Sequence, residues 1–350
     1  MNQVPKASVE LSPGNKQRML ELISGSCITQ VIHAFAELSV ADELASGPAP
    51  LEQLSKRLNV DSSTLRRLLR AGSAVGLVSL NEQECYIGTP LLELLRGDSP
   101  DSMRAYAMAM ARSAHWLPWG RFVDAIRSGK EQTVEALGCN LWGYYQKNPE
   151  DAAIFGNAMQ SLTRATAGEA AGLIETSSGS LTVDVGGASG TLVLEMMERN
   201  PTLKGIVFDL PHVIPSAQSA AKMRGLENRF NVVAGDFFVQ VPPADIYTLK
   251  HILHNWDDAA CIRILRNCRE ALNDNGRVVI IELAIGDSMI ATEESVFSST
   301  MDLNMLVLLQ GRERTQHEYS TLLEEAGLRI RTVKLTASVP VMKIIEAAGV

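Results

Sequence analysis

The residues of this 350-residue chain best placed to do chemistry begin with Asp184, which stands inside residues 181–185 just ahead of Gly186, Gly187, Ser189 and Gly190. That β-branched run breaks into the glycines, and an apolar helical pattern follows at once. Strand, glycine turn and helix in this order open a nucleotide-binding βαβ unit. The glycines let the turn be tight and a ligand approach the backbone, while the helix start offers unpaired N–H groups. The turn reads D-x-G-G-x-x-G, not the dinucleotide pattern G-x-G-x-x-G. A carboxylate beside such a turn repels a pyrophosphate but accepts from an ammonium group, which favours a nucleoside with a cationic tail, such as S-adenosylmethionine, over NAD. Asp209 ends the next strand, where its carboxylate can hold two ribose hydroxyls, and Leu210 follows it. After a third strand come Gly235, Asp236 and Phe237; Asp236 can accept from an adenine amino group and Phe237 can stack on the ring. The fourth strand opens into Lys250-His251-Ile252-Leu253-His254-Asn255-Trp256-Asp257, the fifth carries Glu282, and Gly311-Arg312-Glu313-Arg314-Thr315 lies beyond. The plain alternative is a glycine turn that serves packing alone, since many doubly wound proteins carry one.

These positions require strands at 181–185, 205–208, 230–234, 246–249, 278–283, 329–335 and 341–346, the earlier ones alternating with helices. Such alternation predicts an α/β, doubly wound sheet that binds ligands on its carboxyl rim. The last two strands are separated only by Ser338-Val339-Pro340, too short for a helix, so they pair antiparallel as a terminal hairpin. Thr315 reads as the N-cap of a helix over 316–326.

The preceding half reads as mainly helical. Residues 1–15 form a flexible arm, and 16–44 a helix with Leu20, Ile23, Cys27, Val31, Ile32, Phe35 and Leu38 at helical spacing. A helix pair over 51–59 and 62–75, with Asp61 or Ser62 as N-cap, precedes a two-stranded wing around Asn81; together they resemble a winged helix. Arg66, Arg67 and Arg70 then suggest DNA binding or merely a solvated face. Residues 1–175 carry 16 basic against 19 acidic side chains, a balance that argues against the first and predicts no nucleic-acid partner. Helices follow at 102–129 and 149–167, where Phe155, Met159 and Leu162 share one face. That face serves either a core or one wall of a flat aromatic pocket. The resulting division is a flexible arm at 1–15, a winged-helix-like domain at 16–100, a helical linker with the pocket segment at 101–175, and a nucleotide-binding domain at 176–350.

Hydrophobic residues make up 46% and charged residues 21% of the chain, enough for full cores and against long disorder. The net charge of −8 argues against general affinity for phosphate backbones. No signal-like segment opens the sequence and its apolar runs are too short to span a bilayer, so no membrane partner and a cytoplasmic location are expected. The five cysteines lack CxxC or zinc-ligand spacing, so no metal is expected.

VDVGGASG, FDLPHV, GDFF, LKHILHNWDD, VVIIEL and GRERT, in this order and spacing, resemble the caffeate-type small-molecule O-methyltransferases of plants and bacterial antibiotic pathways. The likeness covers nearly the whole chain, including an N-terminal dimerisation region. It implies S-adenosylmethionine as cofactor, S-adenosylhomocysteine as product, and a homodimer built through the N-terminal domain. Gly186, with Gly187 and Gly190 in the same turn, would lie against the methionyl portion, Asp209 on the ribose, Asp236 and Phe237 on adenine, and Lys250 in the same pocket. His254 is similar to the family's general base, flanked by Glu282 and Glu313. A phenol has a pKa near ~10, so a neutral imidazole within reach can take its proton, and a carboxylate on the other ring nitrogen fixes the tautomer. Glu313 is the first choice for that carboxylate and Glu282 the second; His251 reads as structural. Ala188 replaces the usual central glycine, which would set the cofactor farther out, and Asn255 replaces the commoner Asp, which would alter hydrogen bonding to substrate. Met301, Asn304, Met305 and Leu308 complete the candidate pocket lining. The expected activity is methylation of a phenolic hydroxyl on an aromatic secondary metabolite. Non-methylating chemistry on the same fold, a DNA-binding regulator and an NAD dehydrogenase are the alternatives.

Overall fold

The computed structural model describes residues 13–177, 180–211, 213–286, 293–338 and 340–350. It divides into two compact units between Ala111 and Arg112. The expected arm falls mostly outside the described residues, while Pro13-Gly14-Asn15 already belong to the helix Pro13–Ile23.

In the first unit the single helix expected over 16–44 is three: Pro13–Ile23, Gly25–Glu37 and Val40–Ala45. The apolar period runs through all three, which is why they read as one. The first two are bent by 50° at Ser24, and Ser39 takes a left-handed φ of 59° that ends the second. Helices Leu51–Leu58 and Ser62–Ala74 follow, the latter capped by the Asp61 carboxylate, which accepts from Thr64 N at 2.8 Å. Strands β1 (Val78–Leu80) and β2 (Tyr86–Gly88) then pair antiparallel. Phe35, Leu54, Leu65 and Leu69 fill this unit's core.

In the second unit seven strands lie side by side: β3 (Leu181–Val185), β4 (Lys204–Asp209), β5 (Phe230–Ala234), β6 (Ala244–Lys250), β7 (Leu272–Leu283), β8 (Leu328–Leu335) and β9 (Met342–Gly349). Their order is β5-β4-β3-β6-β7-β9-β8. β3 to β7 run parallel, while β9 runs antiparallel to both β7 and β8. The terminal hairpin forms as expected, with β9 as its inner strand. Alternate residues of each central strand serve opposite faces. Val278 and Ile280 join Leu249, Ile264, Leu265 and Leu323 under helices Asp258–Ala271 and Gln316–Glu325. Val279 and Ile281 join Val193, Met196, Met197 and Ala217 under helices Thr191–Arg199 and Ile214–Met223.

The helix expected over 102–129 is also three: Arg104–Ala111, Ser113–Trp119 and Phe122–Ser128. Arg112 is extended, and Pro118 lacks the N–H that would continue the ladder. The helix expected over 149–167 runs longer, from Pro149 to Leu173.

Candidate active site

The glycine turn is shaped from below by Asp184. Its carboxyl is buried, accepts from the Thr248 hydroxyl at 2.7 Å, and lies only 2.6 Å from where a Cβ on Gly187 would stand. Only glycine allows that approach. Burial pushes Asp184 up to about 6, while the Thr248 hydrogen bond and the Lys250 charge pull it down. Gly186 (φ 67°) and Gly190 (φ 75°) are left-handed, and so is Ala188 at φ 48°. Ala188 therefore holds a conformation that a glycine would take without strain. Its N–H donates to Asp209 Oδ2 at 2.9 Å, and Leu210 N donates to Oδ1 at 2.7 Å, so Asp209 ties the turn to the end of β4. Leu210 is 47% exposed beside it.

Asp236 is exposed and accepts from Phe238 N at 2.8 Å. Phe237 is half-buried, its ring edge 3.9 Å from where a Gly186 Cβ would be. Lys250 ends β6 and donates to the Thr163 hydroxyl at 3.2 Å, which brings helix Pro149–Leu173 to the rim. Burial lowers the Lys250 pKa to about 8, against the pull of Glu282 and Asp184. Three carboxylates, an aromatic ring and an exposed leucine around a turn with no room for a Cβ at Gly186, Gly187 or Gly190 suit an adenosyl group with a cationic tail.

Past β6 the chain turns at His251, whose φ of 55° is left-handed, into the 3-10 turn Leu253–Asn255. Glu282, wholly buried on β7, caps that turn: its Oε1 accepts from the backbone of Ile252 (3.1 Å), Leu253 (3.0 Å) and His254 (3.3 Å). A carboxylate at the start of a helical turn satisfies donors that have no partner within it. The ring of His254 goes elsewhere: Nδ1 lies 2.7 Å from Glu313 Oε1 and 3.6 Å from Glu282 Oε2. Glu282 thus fixes the backbone of His254, and Glu313 its imidazole. Burial acts to lower the His254 pKa, but the two carboxylates outweigh it and lift it to about 9. Burial likewise raises Glu282 above the ordinary carboxylate range, with His254 drawing it back. His251 is pushed far below the ordinary imidazole value, first by burial and then by Lys250 and His254. His251, His254 and Glu282 offer ligand atoms all within 4.8 Å of one another, close enough to hold a cation.

Glu313 is delivered by the segment after helix Glu293–Leu309. Its own N–H donates to Asp302 Oδ1 at 2.9 Å, and Arg312 N donates to His254 O at 2.9 Å. Gly311 makes the approach feasible, because a Cβ there would stand 2.0 Å from His254 O. Thr315 then starts the next helix with a capping box to Glu318.

The candidate lining residues are distributed unevenly. Helix Glu293–Leu309 packs against the His254 turn. On it Met301 is half-buried, Asn304 and Met305 are nearly covered, and Leu308 is 2% exposed. The amide oxygen of Asn304 accepts from Trp119 Nε1 at 2.8 Å. Phe155 stacks on Tyr145 (4.9 Å) and shares a cluster with Leu308, whereas Met159 and Leu162 are half-buried on their helix. Asn255 donates to His251 O at 3.0 Å and so braces the loop. Sequence reasoning missed Thr248, Asp302 and Arg314. Each acts through a contact distant in sequence, and the only available signal was the second arginine of GRERT, to which sequence reasoning assigned no role.

A family model described as an O-methyltransferase domain matches residues 119–329, and an O-methyltransferase dimerisation domain matches residues 20–96. The phenazine O-methyltransferase PhzM of Lysobacter antibioticus is 34% identical over 330 residues, covering 94% of this chain and 95% of that protein. The solved structure of the mitomycin 7-O-methyltransferase MmcR is 30% identical, covers 96% of this chain and 98% of its own, and superposes with a TM-score of 0.88. NcsB1, an O-methyltransferase from neocarzinostatin biosynthesis solved with S-adenosyl-L-homocysteine and 1,4-dihydroxy-2-naphthoic acid, is 30% identical, covers 92% and 96% of the two chains, and gives a TM-score of 0.77.

Proposed function

The chain belongs to the O-methyltransferase family, which makes it an S-adenosylmethionine-dependent enzyme, and we propose that His254 is the general base for methylation of a phenolic hydroxyl on an aromatic small molecule. The observation that carries the assignment is the 2.7 Å contact between His254 Nδ1 and Glu313. With Nδ1–H donated to Glu313, Nε2 keeps the lone pair and is the basic nitrogen. The bound cofactor supplies an electrophilic methyl group. The protein's own task is to align the acceptor oxygen and take up its proton, with Glu313 stabilising the imidazolium that results. Glu282 holds the turn at its backbone. Since this chemistry needs no metal, the proximity of His251 and His254 to Glu282 is read as support for the turn. Asp209, Leu210, Asp236, Phe237 and Lys250, with the turn Gly186–Gly187–Gly190 over Asp184, are the proposed cofactor residues.

Phe155, Met159, Leu162, Asn255, Met301, Asn304, Met305 and Leu308 remain the proposed substrate side, the first five half-buried and the last three nearly covered. The proposed partners are this aromatic acceptor and a second copy of the chain, with neither nucleic acid nor membrane. Arg66, Arg67 and Arg70 are exposed, as a solvated face requires. Among the described residues no single helix is long and apolar enough to cross a membrane, and a cytoplasmic location is proposed.

The test is methyl transfer to a panel of phenols by the wild-type chain and His254→Ala, with cofactor binding followed by calorimetry. Removing a general base costs roughly 10²–10⁴-fold in rate. The variant should lose that much turnover and keep its cofactor affinity; unchanged turnover would remove His254 from the mechanism.

A further inference from the structure

Arg314 has no part in the chemistry above, yet it is the largest wholly buried side chain described. A guanidinium leaves water at high cost unless its donors are used. Here Nη1 donates to Leu253 O at 3.0 Å, Nη2 to Trp256 O at 2.7 Å and to Asp258 Oδ1 at 2.8 Å, and Nε to Asp258 Oδ1 at 3.1 Å. The two carbonyls flank His254 and Asn255. The residues next to Arg314 grip the same turn: Arg312 N binds His254 O, and Glu313 takes the ring at Nδ1. Three consecutive residues thus hold the turn's carbonyls, the base's backbone and the base's ring.

We propose that Arg314 is a positioning residue for the base: it locks the Leu253–Trp256 backbone to the 311–315 segment and so holds the His254 ring at hydrogen-bonding distance from Glu313. The planar fork of arginine reaches two carbonyls and a carboxylate together, whereas the single ammonium of lysine cannot span them. Asp258, half exposed at its helix start, completes the fork and fixes its plane. The charged and titratable groups facing His254 are Glu282 from β7, Glu313 from the 311–315 segment, Lys250 from the end of β6, and His251 from its own loop. Arg314 acts on the base through the Glu313 contact. Loosening that contact lowers the basicity of His254, because the Glu313 hydrogen bond is among the interactions that raise it.

The inference rests on His254 being the base. It is tested on the full-length enzyme with Arg314→Lys, measuring kcat, KM, cofactor affinity and the pH profile of kcat/KM. A misplacement of the base by about 1 Å costs on the order of 100-fold. The expected result is a kcat lower by roughly 10–100-fold, KM and cofactor affinity within about two-fold, and an acid limb moved to lower pH. A folded variant with unchanged kcat, or with reduced kcat and an unmoved acid limb, overturns the proposal. Should Arg314→Lys fail to fold, Asp258→Ala decides the matter, because it removes the Oδ1 acceptor of the fork without emptying the interior. A downward shift of its acid limb supports the proposal and an unmoved limb overturns it. If His254→Ala keeps its turnover, the base assignment itself fails; if His254→Ala is inactive and Arg314→Lys behaves as wild type, only the role of Arg314 does.

Discussion

Burial works to lower the His254 pKa, Glu282 and Glu313 lift it to about 9, and at pH 7 only roughly 1% of such an imidazole is neutral. In the proposed role only the neutral form can act as base, so kcat/KM should climb about tenfold per pH unit between pH 6 and 8 and level off higher. Glu313→Gln removes one of the lifting carboxylates, so its acid limb should lie at lower pH and its plateau should be lower. A flat wild-type profile would contradict the assignment. The cofactor carries a sulfonium cation that its product lacks, and Lys250, a proposed cofactor residue, has its pKa lowered by burial to about 8. Binding S-adenosylmethionine near pH 8 should therefore expel a fraction of a proton that S-adenosylhomocysteine leaves in place, a difference read by calorimetry in buffers of unlike ionisation heat. Ala188 offers a separate check. Its φ of 48° costs an L-residue about 1 kcal/mol, so Ala188→Gly should raise stability by about 0.5–1 kcal/mol in urea unfolding at constant m. The acids around the base were visible in the sequence as motif letters. Their division of labour was not, because the capping of three backbone N–H groups by Glu282 arises from the approach of β7 to a turn some thirty residues earlier.

At the scale of elements, the parallel strands and the terminal hairpin were legible because β-branched runs between turn residues leave few other readings. The helices were not divided correctly. An apolar period continues across a bend whenever successive helices cover the same core, and left-handed backbone at Ser39 or extended backbone at Arg112 carries no strong residue signal. The 311–315 segment shows local and distant demands meeting. Thr315 and Glu318 form a capping box recognisable from sequence, whereas the need for glycine at 311 comes from the carbonyl of His254. Gly311→Ala places a Cβ in that carbonyl and must displace the Glu313 segment. Turnover should fall on the order of 100-fold while cofactor affinity stays; full activity would show that the segment adjusts freely.

For the whole molecule, the helix Pro13–Ile23 leaves Met19, Leu20, Leu22 and Ile23 between 56% and 67% exposed in a single chain. A row of large apolar side chains so open to water, at the edge of a matched dimerisation domain, is proposed to be covered by a second copy. Leu20→Glu combined with Ile23→Glu should give a monomer in light scattering, and a dimer that survived both charges would move the interface elsewhere. Placement of β9 between β7 and β8 has its own result for how the protein comes to be made. A ribosome delivers residues 342–349 after the other strands described, so nascent chains hold the strand of Glu282 with a bare flank until that segment has emerged. A product broken off before that point should be cleared by proteolysis, not persist as a slower enzyme.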